Sequence, residues 1–211
     1  MLHKRCDTRR ILHSDDIDCD TLAHTLGLSS DSDQVRVFIP ISDAMEDANV
    51  VGDAGSHYSV YVLEGKIDRD ANAIELSGMH INSLKSTNQM SIISMFRDKV
   101  CSLSSGIYNV TFLPNVEVEG VPQQPDGFSC GPRVIATAEA FSQLPFDVSP
   151  VEVASHLKKK ITFISVERAR HGLEESLRVQ GVEKVLHNAA LRGREFINVI
   201  VLTNQCIDYN Y

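Results

Sequence analysis

Residues 122–132, PQQPDGFSCGP, contain the cysteine best placed to act as a nucleophile. Cys130 follows a turn rich in proline and glycine and precedes a helical pattern, so we predict that it opens a helix. The free N–H groups and positive dipole end of a helix N-terminus favour the nucleophilic thiolate. They can also donate to a developing oxyanion, and Gly131 allows a substrate carbonyl to approach the backbone. Taken alone, Cys130 is equally a buried structural cysteine.

Two further residues could serve this nucleophile. Gln124 lies six residues before Cys130, and its amide N–H could donate to an oxyanion. His57 begins the segment HYSVYVL, whose β-branched and aromatic residues predict a strand. A histidine fixed at the rim of a strand could act as general base for the thiol. Singly, each is also explained as an ordinary loop glutamine or a structural histidine.

A general base needs an acceptor on its other ring nitrogen. Residues 73–79, AIELSGM, predict a strand that returns from a turn centred near Arg69. By hairpin geometry, His57 should then pair with roughly residues 77–80. Glu75 is the only carboxylate on the returning strand. We therefore predict that Glu75 orients His57.

The order His57, Glu75, Gln124, Cys130 resembles that of the ubiquitin-like-protein proteases. This papain-like clan includes the SUMO proteases and the adenovirus protease. PQQPDGFSCG is similar to its Pro-Gln-Gln-x-x-Gly-x-x-Cys-Gly stretch, and His57-Tyr58 is similar to its His-Trp strand start. Most members use Asp as the acid, but Glu75 is similar to the Glu of the adenovirus protease and of bacterial effector acetyltransferases. The resemblance covers residues 35–143.

The resemblance implies an α+β, papain-like cysteine protease fold with a central mixed or antiparallel sheet flanked by helices. It also implies a thiol isopeptidase that cleaves ubiquitin or a ubiquitin-like modifier, through a Cys-His-Glu triad, without a cofactor or a metal. One alternative is an effector-type acetyltransferase that uses acetyl-CoA. A basic cluster could then bind an anionic activator, or could simply be a solvated helix face; it consists of Lys158, Lys159, Lys160, Arg168 and Arg170. The other alternative is an inactive protease-like module that only binds its partner.

The chain divides into three segments by pattern. Residues 1–34 are polar and predict a helical or loop segment, in which Leu22 and Leu26 could line a short helix. Residues 35–143 hold the catalytic core, beginning with a strand that we expect to end at Pro40. Residues 144–211 predict a helical segment that packs on the core and could bind a partner.

Composition restricts the function classes further. The chain has 211 residues, with 20 Lys and Arg against 28 Asp and Glu, giving a formal net charge of −8. This balance disfavours nucleic acid and favours a basic protein partner. No apolar run is long enough for a membrane span, and no signal peptide is visible. Five scattered cysteines predict a reducing compartment, so we expect a cytoplasmic monomer, or an effector secreted into a host cytosol.

Overall fold

The computed structural model describes residues 3–5, 32–42, 57–84, 89–104 and 109–179. Within these ranges the chain forms six strands and four helices. The strands are β1 (His3–Arg5), β2 (Gln34–Ser42), β3 (Tyr58–Asp68), β4 (Ala73–Ile81), β5 (Asn109–Phe112) and β6 (Val116–Glu117). The helices are α1 (Met90–Ser104), α2 (Cys130–Phe141), α3 (Pro150–Lys160) and α4 (Phe163–Val179).

The strands form one mixed sheet in the order β1-β2-β3-β4-β5, and β6 also pairs with β4. The central pairs β2–β3 and β3–β4 are antiparallel, whereas β1 runs parallel to β2, and β5 and β6 run parallel to β4. The predicted α+β architecture, with a mixed sheet and flanking helices, is therefore confirmed.

Both faces of the sheet are buried, which explains the continuous apolar runs of its central strands. On β3, Tyr61 and Leu63 face the cluster that contains the α1 residues Ile93 and Phe96. The alternate residue Val62 faces a second cluster, built with α2, α3 and α4. Because α3 and α4 supply core residues to this cluster, the described part of the segment after residue 143 packs directly on the sheet.

A buried ion pair ties the end of α2 to the sheet. Arg36 and Glu64 face each other across β2 and β3, and Arg36 Nε donates to Glu64 Oε1 at 2.7 Å. The same guanidinium donates to the backbone carbonyls of Phe141, Leu144 and Pro145. A cation at this position also complements the negative end of the α2 dipole. The pair thereby fixes the direction in which α2 leaves the sheet.

The segment between β6 and α2 runs along the end of β4. Val118 N donates to His80 O at 2.9 Å, and Gln124 N donates to Ser83 O at 2.9 Å. These bonds continue the sheet pairing in irregular backbone, so the loop that precedes Cys130 is attached to the same sheet end as His57. The connection is the structural reason why distant parts of the sequence meet there.

The structure corrects several predicted boundaries. β2 continues through Pro40 to Ser42. Because β1 pairs only with Arg36–Phe38, it does not require a backbone N–H donor at Pro40, and a proline is tolerated there. A short strand, β1, occurs in the segment expected to be helical or loop. The helix at Leu22 and Leu26, and the predicted elements beyond residue 179, lie outside the described residues.

Candidate active site

Cys130 is the first residue of α2, as predicted from the sequence. Its side chain is buried, with 7% of its surface exposed. Arg133 N donates to Ser129 O at 3.0 Å, which is the first hydrogen bond of the helix. The backbone N–H groups at the beginning of such a helix have no partner in the preceding turn. They can therefore act on a charge that develops beside Cys130.

Asp126 shapes the turn that delivers Cys130 to the helix start. Its Oδ1 accepts from Phe128 N at 3.0 Å and from Ser129 N at 2.6 Å. Desolvation acts to raise the pKa of Asp126, but these hydrogen bonds, with help from the Arg133 charge, hold it below its usual value. Arg133 also donates from Nε to Ser129 Oγ at 3.2 Å. The turn is thus fixed by side chains on both sides of Cys130.

Gly131 leaves space beside the candidate nucleophile. A Cβ atom added at this position would meet no atom within 4 Å. The protein's own packing therefore does not require glycine here, and the space is open to a bound chain. This observation agrees with the expected approach of a substrate carbonyl to the backbone at Gly131.

His57 is completely buried and immediately precedes β3. Its Nε2 lies 2.7 Å from Oδ1 of Asn82, which is also buried and immediately follows β4. Since an amide oxygen can only accept, Nε2 carries the proton, and Nδ1 is the nitrogen available for proton transfer. Asn82 Oδ1 also accepts from Leu84 N at 2.9 Å, which holds the amide in this orientation. The hydrogen bond fixes both the tautomer and the ring orientation of His57, which is what a Cys-His-Asn site would require of its histidine.

The prediction that Glu75 orients His57 is wrong. The hairpin register places Glu75 opposite Lys66, near the turn of the hairpin. Lys66 lies about nine residues beyond His57, or roughly 30 Å along the strand at ~3.3 Å per residue. No side chain spans that distance, and the acceptor on His57 is Asn82. The candidate site therefore contains a neutral amide where a carboxylate was expected.

Gln124 is hydrogen-bonded to Ser83, the residue that follows Asn82 in the chain. Ser83 Oγ donates to Gln124 Oε1 at 3.0 Å, and Gln124 Nε2 donates to Asp126 O at 2.8 Å. The first bond assigns the amide oxygen and the second uses one of the two amide protons. Gln124 thus joins the end of β4 to the turn before Cys130. Its second amide proton is the one that could reach a bound oxyanion.

The N-terminal part of α2 packs against the ends of β3 and β4. A small cleft between them is lined by Tyr58, Ile81 and Ser83, which adjoin His57 and Asn82 in the chain, and by Arg133 and Val134 near the start of α2. The four elements that carry His57, Asn82, Gln124 and Cys130 therefore converge at one end of the sheet. Glu75, at the other end of β4, does not take part.

A second buried histidine lies next to this site and was not singled out from the sequence. His80 Nε2 is 2.8 Å from Ser59 Oγ, and Ser59 Oγ donates to Oε1 of Gln89. Gln89 Nε2 in turn donates to the backbone oxygen of His57 at 3.4 Å. Burial lowers the pKa of His80 to about 4. The one available sequence signal was the alternation that puts His80 and Asn82 on the same side of the strand end.

No protein-family model matches this chain, and no curated protein matches it. Solved structures similar to it include ubiquitin-like-protein proteases. One is SUMO protease Ulp1 with its catalytic cysteine oxidised to a sulfonic acid, at 19% identity and a TM-score of 0.28, over 77% of this chain and 61% of that one. A second is Ulp1 in complex with Smt3, the yeast ortholog of SUMO, at 19% identity and a TM-score of 0.27, over 64% and 53%.

A third similar structure is Xanthomonas XopD, at 19% identity and a TM-score of 0.32, over 74% of this chain and 84% of that one. The present chain spans between 53% and 61% of the Ulp1 chains. These proteins belong to the class that the motifs of the sequence resemble.

Two further observations concern the described residues. They contain no group of three or more His, Cys, Asp or Glu side chains that could hold a metal ion. Of the helices in the described ranges, none is long and apolar enough to cross a bilayer.

Proposed function

We propose that this protein is a cysteine peptidase that hydrolyses the bond between a ubiquitin-like modifier and its attached amine. The observation that carries the proposal is the buried His57–Asn82 hydrogen bond, at the sheet end where the helix of Cys130 begins. A histidine held by an amide oxygen has one defined tautomer, which suits it to take a proton from a neighbouring thiol.

In the proposed reaction, Cys130 Sγ attacks the carbonyl carbon at the end of the modifier as its proton passes to His57 Nδ1. His57 then gives that proton to the leaving amine, and the acyl group stays on Cys130 as a thioester. Water, deprotonated by His57, hydrolyses the thioester and restores the thiol. Asn82 keeps the imidazole ring in position through both steps.

The oxyanion formed at each step needs two donors in fixed positions. The backbone N–H of Cys130 is one, because it lies at the N-terminus of α2. The second is the unused amide proton of Gln124, whose side chain is already held by Ser83 and Asp126. Since both donors are fixed before substrate binds, little reorganisation is needed when charge develops.

The substrate class follows from the sequence motifs and from the space around the nucleophile. Modifiers of this class end in Gly residues, which carry no side chain past the reactive carbonyl. The open space at Gly131 suits such a narrow chain. The net charge of −8 favours a partner with basic residues near its terminus. We place the reaction in a cytosol, either that of the producing cell or that of a host.

The test is a panel of ubiquitin-like proteins that carry a C-terminal electrophile. Wild-type protein should form a covalent adduct with at least one of them, and Cys130→Ala should form none while it still binds the unmodified modifier. Cys101→Ala is the matched control, because Cys101 is an exposed free thiol that should not affect adduct formation.

Each other outcome points to a different function. Binding without an adduct in wild-type protein would make the chain a binding module. Consumption of acetyl-CoA that depends on Cys130 would favour the acetyltransferase. An adduct that persists in Cys130→Ala would place the nucleophile elsewhere.

A further inference from the structure

Three buried polar side chains form a hydrogen-bonded row that ends at the backbone of His57. His80 on β4, Ser59 on β3 and Gln89, which immediately precedes α1, are each 1% exposed. Together they connect both strands of the central hairpin to the N-terminal end of α1. Buried polar groups are costly unless every one finds a partner, so a linked set of three in one place needs a reason.

The hydrogen bonds of this row run in one direction. Gln89 donates from Nε2 to His57 O, so its Oε1 is the acceptor end of the amide. Ser59 Oγ therefore uses its single proton on Gln89 Oε1, and must accept from His80 Nε2. His80 is then neutral with its proton on Nε2; its Nδ1 is buried and makes no hydrogen bond within the described part of the chain. The row ends on the backbone carbonyl of His57.

The positions of these residues relate them to the site. Ser59 follows His57 by two residues on β3, and His80 precedes Asn82 by two at the end of β4. Since side chains alternate along a strand, each lies on the same side as its partner. His57 is therefore held at two points, its ring by Asn82 and its backbone carbonyl by Gln89.

We propose that His80, Ser59 and Gln89 are positioning residues that hold the backbone at His57, so that its ring is aligned with Cys130. This inference rests on the proposed function, and it assigns the three side chains a role in the rate of acylation rather than in partner binding. None of them touches the substrate. They act through the main chain of His57, at the point where β3 begins.

The test uses two variants at one position. His80→Gln keeps an N–H donor that can reach Ser59 Oγ, whereas His80→Leu has similar bulk and no donor. Ser59→Ala breaks the row at its centre, and Ser77→Ala is the matched control, because Ser77 lies on β4 nearer the turn of the hairpin and makes only a 3.5 Å contact with Glu64 O. All are made in the full chain.

Three measurements separate positioning from structure. With an electrophilic modifier, His80→Leu and Ser59→Ala should lower the adduct rate at saturation roughly tenfold, the effect of one lost buried hydrogen bond. The half-saturating probe concentration should stay within about twofold of wild type, and His80→Gln should recover most of the rate. The pH profile of Cys130 alkylation, followed by mass spectrometry of its peptide, should move in His80→Leu toward the profile of His57→Ala.

The possible outcomes test the proposed function and the positioning role separately. An alkylation profile that His57→Ala leaves unchanged would refute the proposed function itself. A profile that changes in His57→Ala but not in His80→Leu or Ser59→Ala would refute only the positioning role. Equal rates in His80→Gln and His80→Leu would do the same. If Ser59→Ala does not fold, the two His80 variants decide the question without it.

Discussion

Lowering the pH from neutral should weaken the fold through His80. Burial lowers the pKa of this imidazole from 6.5 to about 4; a side-chain hydrogen-bond interaction with Gln89 acts to raise it, and the charge of the neighbouring His57 acts to lower it. The unfolded chain therefore takes up a proton near pH 6.5, while the folded chain resists it until about pH 4. Between these values the unfolded state binds more protons, so stability falls as the pH falls.

The size of the effect follows from that difference. Each pH unit well inside the window is worth ~1.4 kcal/mol, so about 2 kcal/mol is lost by about pH 5 and about 3 kcal/mol by about pH 4. Above the unfolded value the contribution of His80 is constant. A loss of this size is easily measured against the ~5–15 kcal/mol of a typical domain.

The assay is urea unfolding of wild type and His80→Gln at about pH 7 and about pH 5. Glutamine does not titrate, so the difference in unfolding free energy between the two proteins should shift by about 2 kcal/mol in favour of the variant at the lower pH. His171→Gln is the control for a histidine at the surface, because His171 is 74% exposed and lies 3.4 Å from the exposed side chain of Glu174. Equal pH dependence in wild type and His80→Gln would refute the reasoning.

Three further predictions concern the site and its turn. Asn82→Ala should lower the adduct rate roughly 10- to 100-fold, because the buried imidazole of His57 loses its hydrogen-bond acceptor. Glu75→Gln should change the rate less than about twofold. The reverse result would show that Glu75, and not Asn82, orients His57. Gly131→Ala should leave the free energy of unfolding unchanged or raise it by up to ~1 kcal/mol. The same variant should slow adduct formation roughly 100-fold if the modifier occupies the space beside Cys130. The control is Gly172→Ala, at a helical glycine with equally open space, which should not slow adduct formation. Asp126→Ala should lower the free energy of unfolding by about 0.5–2 kcal/mol, measured with urea, because two backbone N–H groups lose their acceptor. Asp126→Asn keeps an acceptor oxygen and should recover most of that stability. Equal losses in the two variants would show that the turn does not depend on that oxygen.

The error over Glu75 shows how a small local choice decides a distant contact. The expected register pairs His57 with roughly residues 77–80, but in the structure residues 69–72 separate the strands, Asp68 lies opposite Ala73 and Val60 lies opposite Ile81, so the position opposite His57 falls beyond residue 81. The extra length is taken up by Asn72, whose φ of 48° is one that asparagine tolerates. This register leaves Glu75 opposite Lys66, far from His57, and it places Asn82, the first residue after β4, beside the His57 ring.

Local signals in the sequence determined the elements and the ends at which the chemistry lies. Cys130 at a helix start follows from its turn, and the capping box of Ser149 and Glu152 at the start of α3 is built from residues three positions apart. Such signals involve residues a few positions apart, so the chain carries them wherever it folds.

The tertiary structure alone decided which side chains meet. The acceptor on His57, the row from His80 to Gln89, and the burial of Arg36 against Glu64 all depend on strand register and on which face each helix covers. The bonds of the Arg36 guanidinium join residues up to 109 positions apart, as between Arg36 and Pro145. All these contacts are selected by the packing of the whole core, because only the complete fold brings these buried side chains within reach of their hydrogen-bond partners.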